Sequence, residues 1–245
     1  EERINPDSTV LSEEQQSVHD EVFKAVSEKN AGVFLLHGVT GSGKTSVFEK
    51  LIHNTVRLGR RAMLLIPEIG LTPQVLKRFR ALFGERVAVI HSGLSLGQRL
   101  DEYKRIKRGD ADIIIGTRSA VFAPADNIGL IIIDEEGERS YKSDSSPRYH
   151  AHDVAKQRCA YHGATLLLAS ATPSIESYYL AERGVYKLLE MKNRYNSASL
   201  PDVSIVDMNL ERISGNPTEF SQQLIDEVNS NLKRGEQSIL LLNRR

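Results

Sequence analysis

Short, wholly apolar runs of strand length alternate with amphipathic stretches of helical length along most of the chain. Residues 33–36 predict a first buried strand. From about Lys44, the residues Val47, Phe48, Leu51, Ile52 and Val56 recur on one face of a helix that Gly59 stops. Residues 62–66 predict a second strand, followed by a helix that Thr72-Pro73 opens and that ends near Gly84. The strand 87–90, a helix over about 96–108, and the apolar runs 113–115 and 130–133 come next. A helix over about 153–161 then leads into the run 166–168. Runs that are apolar on both faces suit strands covered by helices on each side. The alternation therefore predicts an α/β fold, a doubly wound and mostly parallel sheet with helices on both faces and right-handed crossovers.

The pattern changes near Asn193. The stretch 193–217 is rich in Asn, Ser and Pro and holds one strand candidate, 203–206, so it reads as a connector. A helix over about 218–234 and a strand over 239–242 follow, as at the start of a second α/β lobe. The expected organisation is one domain over 1–192, the connector 193–217, and the beginning of a further lobe over 218–245, truncated. The chain opens on Glu1 and stops just past an apolar strand, so both ends are expected to be cuts in a longer protein.

Composition adds little beyond exclusions. The 245 residues hold 40% apolar and 26% charged side chains, ordinary for a soluble domain. Lys+Arg and Asp+Glu balance at 32 each, so any basic surface for a polyanion must be local. No apolar run approaches the ~20 residues needed to cross a bilayer, and no basic-then-apolar leader opens the chain. No membrane association is expected. The single cysteine, Cys159, cannot form an internal disulfide and lies in a helical pattern, where it fits a small buried residue and a reducing compartment.

The chemistry begins between the first strand and the helix after it. Gly38-Val39-Thr40-Gly41-Ser42-Gly43-Lys44-Thr45 is a complete G-x-x-x-x-G-K-[ST] pattern in a strand–loop–helix context. Its glycines let successive backbone N–H groups turn inward, and the helix N-terminus adds positive potential at the same place. Gly38, Thr40, Gly41, Ser42, Gly43, Lys44 and Thr45 are the candidate phosphate cradle. Lys44 suits the β- and γ-phosphates of ATP, and the Thr45 hydroxyl suits Mg²⁺. Asp134-Glu135 ends the apolar run 130–133, which puts both acids at the carboxyl edge of the sheet, where such folds bind ligands. Asp134 is the candidate second metal ligand and Glu135 the candidate general base. With Lys44, they form the expected catalytic set. A solvated acidic turn is the competing explanation, because Glu136 and Glu138 continue the run. Gln15 is ambiguous: it suits an adenine edge, yet Ser12-x-x-Gln15 is also a helix capping box.

Further segments sit behind each strand. Pro67-Glu68-Ile69-Gly70-Leu71-Thr72-Pro73-Gln74 follows the second, His91-Ser92-Gly93 the third and Gly116-Thr117-Arg118-Ser119-Ala120-Val121-Phe122 the fourth. Ala169-Ser170-Ala171-Thr172-Pro173-Ser174 follows the strand after the acidic pair. This ordered set resembles the first, RecA-like motor lobe of the superfamily 2 helicases. The segment 67–74, the Gly116-Thr117-Arg118 segment and the loop with Ser140-Tyr141-Lys142 and Pro147-Arg148-Tyr149-His150 resemble the bacterial replication-restart branch in particular. The resemblance runs from Leu11 to Arg245 and implies an ATP-dependent DNA helicase of the bacterial cytoplasm. Gln15 would read adenine. Pro67, Glu68, Gly70, Gly116, Thr117 and Arg118 would lie along single-stranded DNA. Tyr141, Arg148 and Tyr149 belong to a segment matching the branch's aromatic-rich loop, which couples DNA binding to hydrolysis, and Ser170, Ala171 and Thr172 would link nucleotide state to DNA. Forked DNA, single-stranded DNA-binding protein and other primosome components are the implied partners.

The residue types agree in part without the resemblance. Strand-end loops with hydroxyls, backbone N–H groups and an arginine suit phosphate contacts that ignore sequence, and tyrosines suit base stacking. The competing explanations are that the prolines merely punctuate, that Arg118 forms a surface ion pair, and that the tyrosines fill core. A P-loop switch acting through a protein partner, or a motor on RNA, is compatible with the same motifs. A helicase is expected to carry Lys77, Arg78, Arg118 or Arg148 along one groove. One departure stands out: the branch has D-E-E-H where this chain has Gly137 after Asp134-Glu135-Glu136, so metal binding is expected to persist while coupling is in question. Arg244-Arg245 matches only the first strand of a second lobe. A zinc-binding insertion would lie outside this chain, because one cysteine cannot build a four-ligand site. Modest nucleotide binding and little turnover are expected of the chain alone.

Overall fold

A computed structural model describes residues 9–194 and 202–242. The chain divides into two compact units, Glu1–Ala198 and Ser199–Arg245.

In the first unit, seven strands form one sheet in the order β3-β4-β2-β5-β6-β1-β7. They are β1 (Val33–Gly38), β2 (Arg61–Leu65), β3 (Val87–Ile90), β4 (Ile113–Gly116), β5 (Ile128–Asp134), β6 (Thr165–Ser170) and β7 (Lys187–Met191). Every pairing is parallel, so the expected mostly parallel sheet is wholly parallel among the described residues. All strands therefore end at one edge, and the loops that follow them share that edge. The helices are α1 (Glu13–Ser27), α2 (Lys44–Arg57), α3 (Pro73–Phe83), α4 (Leu96–Arg108), α5 (Ala151–His162) and α6 (Ile175–Glu182).

Strand residues alternate between two buried layers, as a pleat of period two requires. Leu64, Leu130, Ile132 and Leu167 pack with Val22, Phe48, Ile52 and Phe79 from α1, α2 and α3. Met63, Ile131, Ile133 and Leu168 pack with Ile106, Ala155, Cys159 and Ala181 from α4, α5 and α6. Each such side chain contributes about 1.5–3 kcal/mol on burial, which makes the middle of the sheet the rigid base of the edge loops. At Gly116 the backbone of β4 passes so near β3 that a Cβ would lie 2.0 Å from the Ile90 carbonyl oxygen. Glycine is required there by packing.

Two elements escape the apolar pattern. The edge strand β7 exposes Lys187 and Glu190 while Leu188, Leu189 and Met191 pack inward, so it lacks an uninterrupted apolar run. Helix α6 turns Ile175 and Tyr179 to solvent and shows no clean helical periodicity.

The second unit holds α7 (Met208–Ile213) and α8 (Gln222–Arg234). Glu211 Oε2 joins them by accepting from Asn216 Nδ2 and from the Gln222 N–H, each at 2.8 Å. The strands expected over 203–206 and 239–242 do not form; both stretches are irregular, and Ile239 and Leu241 are almost fully exposed. A strand exists by pairing, and among the described residues neither run pairs with a neighbour. Arg244 and Arg245, like residues 195–201 of the expected connector, lie outside the described residues.

Candidate functional site

The P-loop forms between β1 and α2. Gly41 and Gly43 hold φ of 82° and 83°, a left-handed conformation that favours glycine. Gly43 also occupies the N-cap of α2 and supplies no capping side chain. The other described α-helices begin on a side-chain cap: Ser12, Thr72, Ser95, His150, Ser174, Asp207 and Ser221. Among the described α-helices α2 alone lacks a side-chain cap; its Ser46 N–H donates to the Gly43 carbonyl at 3.0 Å, and the N–H groups before it belong to the loop that the sequence assigns to phosphates. Within the loop the Ser42 hydroxyl is buried and makes no hydrogen bond among the described residues.

Lys44 is largely buried, donates from Nζ to the Gly38 carbonyl at 2.9 Å and lies 3.9 Å from Glu135 Oε1. A cavity of 420 Å³ is lined by Thr40, Gly41, Ser42, Gly43, Lys44, Thr45, Ser46, Asp134 and Glu135. The expected cradle and the expected acids therefore share one space. Gly38 lies beneath it, ending β1 beside Met191 of β7.

Asp134 is the last residue of β5. Burial, then repulsion from Glu135, pushes its carboxyl from the ordinary 3.8 to about 6; Lys44 and the Glu135 N–H, which donates to Oδ1 at 3.0 Å, oppose the rise. A desolvated carboxylate that is disfavoured as a lone anion fits a divalent cation. Thr45 and Asp134 would be the two protein ligands of Mg²⁺, which characteristically takes few protein groups and completes its shell with phosphate and water. Among the described residues no group of three or more His, Cys, Asp and Glu side chains is placed to hold a metal.

Glu135 has φ of 45°, unusual for a residue with a Cβ and costing about 1–2 kcal/mol. That conformation turns the chain so that Glu135 Oε2 accepts from Ser170 Oγ at 3.1 Å, while Ser170 Oγ accepts from the Thr172 N–H at 3.0 Å. Ser170 is buried, Ala171 half-buried and Thr172 exposed. The next acid is not the solvated turn that the sequence allowed. Glu136 is 1% exposed. Its carboxylate accepts from the Ser174 N–H at 2.6 Å, Ser174 Oγ at 3.2 Å and Ser177 Oγ at 2.8 Å, clamping the start of α6. At Gly137 a Cβ would sit 3.1 Å from the Thr172 carbonyl oxygen and 3.4 Å from the Ser174 nitrogen. The space opposite this position is thus already filled by the backbone that follows Ser170.

Gln15 serves the capping box: Oε1 accepts from the Ser12 N–H at 2.9 Å. Its Nε2 donates to the Ser42 carbonyl at 2.8 Å, so the buried amide braces the P-loop against α1. Both ends of the amide are engaged by protein.

A second cavity, of 480 Å³, opens at the strand-end edge between Pro67, Glu68, Ser92, Arg99, Thr117, Arg118, Ser119, Arg139, Ser140, Lys142 and Asp144. It brings together Pro67, Glu68, Thr117 and Arg118 from the expected DNA set. Gly70 lines a neighbouring apolar cavity beside Phe48, Phe79 and Asp134. Arg99 was not singled out from sequence, where its only signal is local positive charge; Arg139 and Lys142 lie in the loop that carries the resemblance but were not named as DNA contacts. Gly116 and Thr117 are buried, the latter bonding by its N–H to the Ile90 carbonyl at 3.1 Å. Among the described residues Arg118 forms no ion pair: its guanidinium donates to the carbonyls of Ser140, at 2.9 Å, and Lys142, and lies 5.8 Å from the centre of the Tyr149 ring. Tyr149 is half-buried and packs edge-on against Phe122 at 4.8 Å. Arg148 is exposed. Arg78, expected along the groove, instead forms a two-pronged ion pair with buried Glu49 of α2.

Tyr141 corrects the sequence expectation. It is 0% exposed, and its hydroxyl bonds to the Asp134 carbonyl at 2.6 Å, with the Leu65 carbonyl at 3.1 Å. A ring sealed between the ends of β2 and β5 has no face for a base. The competing core explanation holds for this tyrosine.

The profile of the DEAD/DEAH box helicases matches residues 16–180. Replication restart protein PriA of Bacillus subtilis (strain 168) is 46% identical over 235 residues, 96% of this chain and 29% of that protein. Its counterpart in Treponema pallidum (strain Nichols) is 41% identical over 239 residues, 98% of this chain and 35% of that protein. The chain thus spans roughly a third of the length of these curated relatives. Among solved structures, RecG bound to a three-way DNA junction aligns with a TM-score of 0.56 and 19% identity over 92% of this chain and 28% of that one. The Pyrococcus furiosus Hef helicase domain aligns with a TM-score of 0.50 and 17% identity over 75% of this chain and 38% of that one. At such identities the likeness is one of fold.

Proposed function

The chain belongs to the DEAD/DEAH box helicase family, and from that premise we propose that it is the first motor lobe of an ATP-dependent DNA helicase acting in replication restart. The single observation that carries the proposal is the start of α2, which has no side-chain cap and begins at Lys44, lining one cavity with Asp134 and Glu135.

In this proposal the P-loop N–H groups and Lys44 bind the phosphates, while Thr45 and Asp134 would hold Mg²⁺. The metal, when bound, neutralises charge that develops on the transferred phosphoryl group. Glu135 orients the attacking water and accepts its proton, held in place by Ser170. Gln15 shapes the loop on the adenine side. Single-stranded DNA runs past the cleft of Arg99, Arg118, Arg139 and Lys142, with Pro67, Glu68 and Gly70 at its border and Arg148 and Tyr149 on the adjoining loop. Ser170, Ala171 and Thr172 carry the nucleotide state toward that cleft. Residues 1–192 form the lobe, 193–217 a connector and 218–245 the start of a second lobe. That second lobe, any zinc site, and contacts with single-stranded DNA-binding protein and other primosome components belong to the rest of the protein. No described helix is long and apolar enough to cross a membrane, in keeping with a proposed place in the bacterial cytoplasm.

The test has two arms. In the 245-residue chain, Lys44→Ala is expected to cut ATP affinity sharply in a calorimetric titration, and unchanged affinity rules out the loop as the site. In the whole protein, matched DNA and RNA oligomers are compared for stimulation of ATP hydrolysis. Stimulation by DNA alone is expected; indifference to both makes the protein a switch, and preference for RNA changes the track.

A further inference from the structure

After β7 the chain runs alongside the P-loop. The Met191 carbonyl accepts from the Val39 N–H at 3.0 Å. Two residues on, Asn193 donates from its N–H and from Nδ2 to the Glu14 carboxylate, at 3.2 and 2.7 Å. These anchors, one on the loop and one on the first turn of α1, fix where Arg194 departs. Its Cγ and Cδ lie 3.9 and 4.0 Å from the point a Cβ on Gly41 would occupy. Gly41 has φ of 82° and no side chain, so the aliphatic stem of Arg194 lies against bare loop backbone.

The hydrogen bonding beside this contact is incomplete. Arg194 Nε is buried and has no hydrogen-bond partner among the described residues; the same is true of the Ser42 hydroxyl, one residue along the loop from Gly41. A guanidinium offers only donors and keeps its charge at any ordinary pH. The amides of the loop and of the uncapped start of α2 are donors too. Donors gathered at one place require an acceptor, and an anionic oxygen satisfies both sets.

We propose that Arg194 is a nucleotide ligand, its guanidinium donating to a phosphate oxygen of the nucleoside di- or triphosphate from the Gly41 side of the P-loop. The inference rests on the nucleotide-binding reading of that loop. It makes residues 192–194, just after β7, a wall of the nucleotide site and gives the edge strand a role: it carries a cation to the loop.

The test compares Arg194→Gln, Arg194→Lys and Lys44→Ala in the 245-residue chain, by calorimetric titration with ADP and ATP and by melting without nucleotide. Arg194→Gln is expected to weaken ADP and ATP by about tenfold or more, the scale of one charge-assisted hydrogen bond. Its affinity is also expected to depend less steeply on salt. Arg194→Lys, which keeps the charge, is expected to retain part of the affinity, and neither change is expected to move the ligand-free melting temperature. Undiminished ADP affinity in Arg194→Gln, beside a loss in Lys44→Ala, overturns the inference and leaves the loop's role intact. Equal losses in both Arg194 variants with a lowered ligand-free melting temperature also overturn it, since they make Arg194 a brace for the loop. No loss in Lys44→Ala removes the loop's role and the inference together.

Discussion

Ser170 ends β6, Glu135 follows the last residue of the neighbouring β5, and the two meet in a single hydrogen bond, Ser170 Oγ to Glu135 Oε2 at 3.1 Å. The same hydroxyl accepts from the Thr172 N–H at 3.0 Å. One oxygen thus ties the proposed base to the backbone of the segment that follows β6. A bond to a charged acceptor contributes roughly 1.5–3 kcal/mol. Ser170→Ala in the whole protein is expected to keep ATP affinity and to lower nucleic-acid-stimulated turnover by about tenfold or more on that scale. Steady-state kinetics with and without oligonucleotide check this; unaltered stimulation would show that the bond carries no coupling.

Tyr141 is expected to act through stability. Its hydroxyl satisfies carbonyls at the ends of β2 and β5, so Tyr141→Phe should cost about 1 kcal/mol, and Tyr141→Ala about 3–5 kcal/mol through the cavity left behind. Urea denaturation of the chain measures both. A Tyr141→Ala protein as stable as the parent would contradict the buried placement.

Glu136 gathers three donors at the start of α6, two of them from Ser174. Glu136→Ala strands those donors and is expected to destabilise the first unit by about 3 kcal/mol or more, with Glu136→Gln costing less because one amide oxygen still accepts. A loss below about 1 kcal/mol in Glu136→Ala would mean that the clamp is dispensable.

His152 supplies an acid-side dependence of stability. Burial, then the charge of His150, lowers its pKa from 6.5 to about 4. Its ring faces Tyr141 and His150 and lies 3.7 Å from Glu136 Oε2, with Asp153 and Lys156 nearby. Below about pH 6.5 the unfolded chain takes up a proton here that the folded chain refuses until about pH 4. Stability from this group is therefore present near neutrality and is lost as pH falls through that window. Urea midpoints at pH 7 and pH 5 are expected to differ less in His152→Phe than in the parent, and an identical difference would assign the acid sensitivity elsewhere.

How much was legible in the sequence follows from the range of the forces involved. The buried strands β1, β2, β3, β4, β5 and β6 were readable because both faces of each meet helices, which demands uninterrupted apolar runs. The P-loop was readable because its turn needs glycines at fixed offsets and its helix starts at once. Cys159 was readable as a buried residue of α5, and burial pushes its thiol up to about 12. The edge strand β7 was not, because with Lys187 and Glu190 exposed it lacks an uninterrupted apolar run.

The chain's local order thus determined the α/β fold, the position of the phosphate loop and the strand-end placement of Asp134 and Glu135, all of which depend on residues adjacent in sequence. Tertiary structure alone decided which side of each residue is used. It closed Tyr141 between two strands, turned Arg118 onto the carbonyls of Ser140 and Lys142, buried Glu136 beneath α6, and laid Arg194 against Gly41. A tyrosine or an arginine is equally at home stacking on a base, meeting a phosphate or bonding a carbonyl. The choice is made by which strand ends the sheet order brings side by side, and that order is set by packing across the whole core rather than by any local run of residues.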